Sequence, residues 1–351
     1  MKMGRSLTDL ATEIERQHET KRDYTADTRR LKMEPLQEGT TGNVIMQGVN
    51  GGMKLKPIAH AQLASTLGIP KPYYDKMLAE TPELLSKNVN HWLERQEERK
   101  LIRTLDNEIR AILSPSYRPL DNYDLAHAVL PTISQLGATT ASAEITDSRF
   151  YLKCITDKVT GEVAKGDLMQ AGVVISNSEV GHGSLRIEAL DYRLVCTNGL
   201  ISETAIRKAH LGRSARGGDS LEDAREFFKD ETRAADDHAF FLKVRDAVVG
   251  MFDPTKFNKR LDKYRALAAI PMNREPEETI ELVAKKFALT EQEQRTALRH
   301  LFTANDQTRW GLANAITRTA QDATDYDRAT VLETLGGKIV HLTANEWVTI
   351  S

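Results

Sequence analysis

The residues of this chain best suited to chemistry are cationic and crowded. Arg207, Lys208, His210, Arg213 and Arg216 fall within "IRKAHLGRSARGG", separated by glycine and small residues. Guanidinium and ammonium groups on a main chain that can approach closely are what a phosphate backbone requires. Rings or guanidinium planes would then meet the bases. Three more stretches offer parts of that set: "SPSYRPLDNYD" puts Tyr117 beside Arg118, "KPYYDK" carries Lys71, Tyr73, Tyr74 and Lys76, and "KFNKRLDKYR" carries Lys256, Lys259, Arg260, Lys263 and Arg265. The candidate nucleic-acid contacts are Tyr117, Arg118, Arg207, Lys208, His210, Arg213, Arg216, Lys259, Arg260 and Lys263. The plainer alternative stands beside this one, because basic helices are usually solvated faces, Tyr-Arg pairs are often structural, and 207–216 would serve equally as an exposed connector.

Catalytic chemistry finds less footing. The chain has no phosphate-cradling G-x-x-x-x-G-K-[ST], no G-x-G-x-x-G after a strand, no H-E-x-x-H and no G-x-S-x-G. "GHGS" brings His182 near Ser184 but reads as a hairpin turn. Asp236, Asp237 and His238 are adjacent in a helix, where neighbours diverge, so they read as a solvated face. A nuclease needs clustered carboxylates and a lysine around a divalent metal. Glu98-Arg99-Lys100 offers only one carboxylate, on or just after a helix. No catalytic residue, metal ligand set or cofactor is assigned.

Bulk properties narrow the class. The 351 residues are 40% hydrophobic, 28% charged and 6% aromatic, with a formal charge of -2. That supports a sizeable core and a solvated surface, and leaves any polyanion site as a local patch rather than a global field. Cys154 and Cys196 lack a C-x-x-C spacing. Both read as strand residues in the core of a protein kept in a reducing compartment. The N-terminal stretch has no apolar core of a signal peptide, and no window reaches the length of a membrane span, so the expectation is cytoplasmic.

The elements that must position these residues follow from period and punctuation. An amphipathic helix is expected over 5–22 with Ser6 or Thr8 as cap, its narrow stripe of Leu7, Leu10, Ala11 and Ile14 suited to a partner. Short strands around Gly51-Gly52 and three helices punctuated by Pro70, Pro72 and Pro82 come next. From Lys100 the reading is two strands around Asp106-Asn107, a helix over 121–136 bent or ended by Pro131, then strand pairs turning at Asp147-Ser148 and Glu179–Gly183. Thr197-Asn198-Gly199 should swing the chain out of the sheet into the basic loop. A long helix is expected from Asp219 with an apolar face of Leu221, Ala224, Phe228, Ala235, Leu242 and Val249, then helices over 255–268, 276–287, 291–303 and 308–319. The fold class is α+β: a mostly helical region over 1–98, a central antiparallel β-β-α-β-β-β-β unit over 99–218, and a helical region over 219–351.

Taken in order, "LGIPKPYYDKML", "PELLSKNVNHWL", "RAILSPSYRPLDNYDL", "RLVCTNGL" and "WGLANAIT" resemble the phage/plasmid-like protein family, carried mainly on prophages, phages and plasmids. The resemblance runs from about Asp27 to about Ala320. It implies a mobile-element setting and no particular activity. The strand order is similar, at the level of hairpin, helix and meander, to single-strand annealing proteins of phage recombination, an analogy of fold. Together these readings favour a non-catalytic, homo-oligomeric protein that binds single-stranded DNA in phage or plasmid DNA metabolism. The alternatives are a phage-encoded protein that blocks a host defence or regulatory factor through its C-terminal helices, and a metal-dependent nuclease.

Overall fold

Asp106 and Asn107 both take positive φ, 53° and 61°, which is the geometry that closes a two-residue hairpin with the twist of its strands. In a computed structural model, which describes residues 1–36, 44–208 and 230–351, that turn joins β5 (Arg99–Leu105) to β6 (Glu108–Leu113). The hairpin lies inside a six-stranded mixed sheet with β1 (Arg22–Asp27), β2 (Lys32–Pro35), β3 (Val44–Gln47) and β4 (Met53–Leu55), in the order β1-β5-β6-β4-β3-β2. The expected boundary at 98/99 therefore cuts through a sheet: β5 pairs with β1, and β6 runs parallel to β4. Helices α2 (Pro57–Thr66), α3 (Lys71–Glu80) and α4 (Pro82–Leu93) each start on or beside a proline. They bury Leu63, Tyr74, Met77, Leu85 and Val89 in one core with that sheet.

The second sheet is an antiparallel meander: β7 (Thr139–Ile145), β8 (Phe150–Glu162), β9 (Leu168–Asn177), β10 (Leu185–Arg193) and β11 (Asn198–Lys208), in spatial order β11-β10-β9-β8-β7. An α+β class is what the sequence predicts, with its single unit divided between two sheets. In register, Cys154, Val173 and Ala189 share one face, while Lys153, Val174 and Glu188 share the other. The first face meets α1 (Leu7–Thr20), α5 (Asn122–Gln135), α6 (Asp230–Met251) and α7 (Pro254–Ala268), all in one core. The second receives α11 (Tyr326–His341), whose Glu333 takes the buried Lys153 ammonium at 2.6 Å.

Several expectations change on contact with this packing. Leu10 and Ile14 of α1 are buried in the chain's own core, so that stripe is not left for a partner. Pro131 sits inside α5 without ending it. On α6 the buried residues are Phe240, Val244, Val248 and Met251, whereas Leu242 and Val249 are exposed. The stripe read from the sequence runs along the outer face. Its earlier members Leu221, Ala224 and Phe228, with the Asp219 start, lie outside the described residues. The helices α8 (Pro276–Phe287), α9 (Glu291–Ala304) and α10 (Arg309–Thr319) match their expected spans within about a residue. The α11 and α12 (Ala344–Ile350) helices go beyond the expectation. In α11, Gly336-Gly337 looks like a breaker, yet a Cβ at Gly337 would stand 1.9 Å from the Ile201 carbonyl oxygen. Glycine is there because helix and strand touch.

Thr197 (φ 49°), not Asn198 or Gly199, takes the positive φ of the β10–β11 turn, and its carbonyl accepts from the Met1 amino group at 2.6 Å. Asn198 and Gly199 already belong to β11. The chain does not leave the sheet there, and the first part of the expected basic loop is the end strand. Cys196 accordingly lies in a turn rather than a strand, while Cys154 is a core residue whose thiol burial pushes up to about 12.

Candidate nucleic-acid interface

The cationic residues singled out by sequence divide sharply once placed. Tyr117 is 7% exposed, and its hydroxyl donates to the Ser178 carbonyl at 2.9 Å. Burial pushes its phenol well above the usual range. It has no free face on which to stack a base. Its neighbour Arg118 pairs with Asp236 at 2.7 Å. On α7, Arg260 is 6% exposed and holds the fully buried Asp191 carboxylate through Nε (2.9 Å) and Nη2 (2.9 Å). Tyr264 and Ser202 also donate to Asp191, so Arg260 is a core strut and not a phosphate contact. Lys263 meets His341 Nδ1 at 2.8 Å. Lys259 is exposed on the same helix. Within "KPYYDK", Tyr74 is buried against His60 Nδ1 at 2.7 Å and Lys71 pairs with Asp75. Glu98 and Lys100 pair with each other at 2.7 Å, at the start of β5 rather than on a helix. The residues His210, Arg213 and Arg216 lie outside the described residues, and Lys208 is the last residue of β11.

Arg207 is different. It is exposed on β11, and its cross-strand partner is Arg186 of β10. Side chains directly opposite on adjacent strands stand about 5 Å apart at Cβ, and like charges there repel. The row continues across the sheet through Ser176 to Tyr151. Two residues back from Arg186, Ser184 immediately precedes β10. It is 8% exposed, with its Oγ buried and without a hydrogen-bond partner among the described residues. The Arg186 Nε is buried and unpartnered in the same sense. A buried donor left unpaired costs on the order of 1–3 kcal/mol, and the like-charged pair beside these two atoms gives the surface a positive field that favours an anion.

The 178–184 connection brings a third guanidinium. Arg149 Nε donates to the His182 carbonyl at 2.8 Å, and its Nη2 stands 1.5 Å from where a Cβ on Gly183 (φ 128°) would be. Gly183 is thus required by its conformation, and a side chain there would also displace the Arg149 guanidinium. Two carboxylates temper the positive charge. Glu188 reaches Arg186 Nη1 at 3.9 Å. Asp327 is engaged by the Ser148 hydroxyl at 2.5 Å and by Thr146 at 3.1 Å. Arg149, Ser184, Arg186 and Arg207 make a cationic rim at one end of the second sheet, with donors for a phosphate. Comparison with protein-family models, curated proteins and solved structures finds no match for this chain.

Sequence reasoning finds Arg207 and misses Arg149, Ser184 and Arg186. The hairpin offers a signal that falls short. Counting back from the β10–β11 turn sets Arg186 against Ala205, and only the two register shifts around Glu188 bring it opposite Arg207.

Two other arginines are held in a joint between the sheets. Arg103, with 0% exposure, donates to Asp23 (2.9 Å), Asp121 (2.8 Å) and the Glu179 carbonyl (2.9 Å). Arg110 pairs with the Glu179 Oε2 at 2.6 Å. The other Glu179 oxygen accepts from Asn122 N at 2.7 Å, capping α5 in place of Asp121, which is occupied by Arg103 and Lys21. Burial works against ionisation of Asp121, but Arg103 and then Lys21 outweigh it and hold the carboxyl at about 2.

Proposed function

We propose that this protein binds single-stranded nucleic acid through its phosphate backbone, without catalysis, at the rim formed by Arg149, Ser184, Arg186 and Arg207. The observation that carries the reading is the cross-strand pair Arg186–Arg207, with Ser184 Oγ and Arg186 Nε beside it unpartnered among the described residues. Arginines in the joint between the sheets are met by close carboxylates, whereas these two are set against each other. The phage or plasmid setting rests on the five-motif resemblance to the phage/plasmid-like family, and a part in strand annealing during recombination rests on the analogy of strand order alone. Assembly into a homo-oligomer rests on β11 as the end strand of its sheet. Light scattering at micromolar concentration tests it, and a monomer there contradicts it.

A second reading, a protein that engages a host factor, draws on a different surface. Met3 (75% exposed), in the N-terminal segment, and Val195 (62%), in the β10–β11 turn, are exposed apolar residues, and Met3 lines a cavity of about 510 Å³ with Met1, Lys2, Tyr192, Thr197 and Gln321. Mobility shift with single-stranded and duplex DNA, with and without magnesium, separates the readings. Salt-sensitive binding to single strands supports the first, absence of binding favours the second, and magnesium-dependent degradation restores the nuclease.

A further inference from the structure

Two turns meet at the end of the second sheet where the rim lies. One, 146–149, leads into β8, and the other is the 178–184 connection between β9 and β10. The connection is fixed over its first three residues. Tyr117 donates to the Ser178 carbonyl, Arg103 to that of Glu179, and Gln62 of α2 to that of Val180, at 2.7–2.9 Å. Beyond them, His182 N returns to Ser178 Oγ at 2.9 Å, and the grip passes to Arg149. Its Nε donates to the His182 carbonyl at 2.8 Å, and its Nη2 lies against Gly183, where a Cβ would be. Ser184 and then Arg186 follow directly.

Arg149 is itself braced. Its turn closes through Thr146, whose N donates to the Arg149 carbonyl at 2.8 Å. Asp327 of α11 accepts from the Thr146 and Ser148 hydroxyls. Ser178 Oγ donates to the Ser148 carbonyl at 2.8 Å, which ties the two turns together. The Asp327 carboxylate and the Arg149 guanidinium both reach the hydroxyl of the buried Tyr151. A planar guanidinium engaged on these sides has its orientation set by the fold.

We propose that Arg149 is a positioning residue of the rim: through the His182 carbonyl it sets where Ser184 and Arg186 meet the strand. This rests on the nucleic-acid reading of the rim. Arg186 and Arg207 carry the phosphates, while Arg149 uses its Nε to hold the loop. A group that only holds the loop changes affinity without changing how many phosphates are neutralised. A phosphate contact changes both.

The test follows binding of a labelled oligodeoxythymidylate of about 20 nucleotides through a salt series. Arg149→Gln removes the charge and the fork, whereas Gly183→Ala keeps every charge and displaces the guanidinium. Each should weaken binding about tenfold, the size of one charge-assisted hydrogen bond, with the wild-type salt slope. Affinity is read well below the melting temperature, where a loss of stability alone leaves it unchanged. Arg207→Ala should instead flatten the slope by about 0.7. A flattening of that size in Arg149→Gln would make Arg149 a phosphate contact and overturn the positioning role. Wild-type affinity in either variant would overturn it as well. Arg149→Gln decides the matter where Gly183→Ala fails to fold. A wild-type protein that binds no strand overturns the rim reading, and this role with it.

Discussion

The joint between the sheets and the rim at the end of the second sheet are both built on arginine, and they treat it in opposite ways. In the joint, Arg103 and Arg110 are removed from water, and carboxylates from Asp23, Asp121 and Glu179 meet them at 2.6–2.9 Å. At the rim, Arg186 and Arg207 are cross-strand partners on adjacent strands and, among the described residues, the carboxylate paired with Arg186 is that of Glu188, at 3.9 Å. Burying a charge is tolerable only with a close partner. Leaving two like charges adjacent at a surface costs little in water and creates a field for an anion. Arginine content alone does not separate structure from binding. What separates them is whether the protein supplies the counter-charge itself.

The largest expected effect comes from breaking the joint. Glu179→Ala would leave the Arg110 guanidinium buried without its carboxylate and uncap α5 at Asn122. Removing one partner of a buried pair typically costs about 3–5 kcal/mol, so chemical denaturation should show a loss of that size. A loss below about 1 kcal/mol would mean that water reaches the joint.

Acid should find the same weak point. The folded value of Asp121 is about 2 against an ordinary 3.8, so the unfolded chain binds the proton first as pH falls. The stability tied to this group is complete above about 3.8, declines as pH drops toward 2, and amounts to about 2 kcal/mol. Asp121→Asn should lose stability at neutral pH and unfold with a shallower dependence on acid below pH 4, as followed by circular dichroism. An unchanged acid profile would show that Asp121 is not held ionised by Arg103 and Lys21.

Tyr117→Phe tests the residue that changed roles. It removes one buried hydrogen bond to Ser178, for about 1 kcal/mol of stability, and strand affinity should stay as in the wild type. A binding loss without a stability loss would return Tyr117 to the interface.

The smallest stability effect belongs to the rim. Arg207→Ala should change stability by no more than about 0.5 kcal/mol, and in the stabilising direction if repulsion from Arg186 dominates. Destabilisation beyond about 1 kcal/mol would make Arg207 a structural residue and erase the contrast with the joint.

The sequence made the elements far more legible than the site. Turns and caps are local, so Asp106-Asn107, the prolines of α2–α4 and Ser6 announced themselves within a few residues. The assignment of β5–β6 to the first sheet did not, because it depends on β1 and β4, strands more than 40 residues away. The α6 stripe misled for a related reason: Leu242 and Val249 repeat at helical spacing, but Val244 and Val248 are the residues that meet the sheet. Charge was the least legible property. Arg260 and Arg207 look alike in sequence, and only the tertiary neighbours, Asp191 for one and Arg186 for the other, tell strut from rim.

The most direct test of that distinction is the salt dependence of single-strand binding by the Arg186→Ala/Arg207→Ala double variant. Each lost phosphate contact to a single strand flattens the plot of log affinity against log salt by about 0.7, so the slope should fall by about 1.4 with the melting temperature preserved. A double variant that folds and binds with the wild-type slope would contradict the account, because the rim would then carry no phosphate.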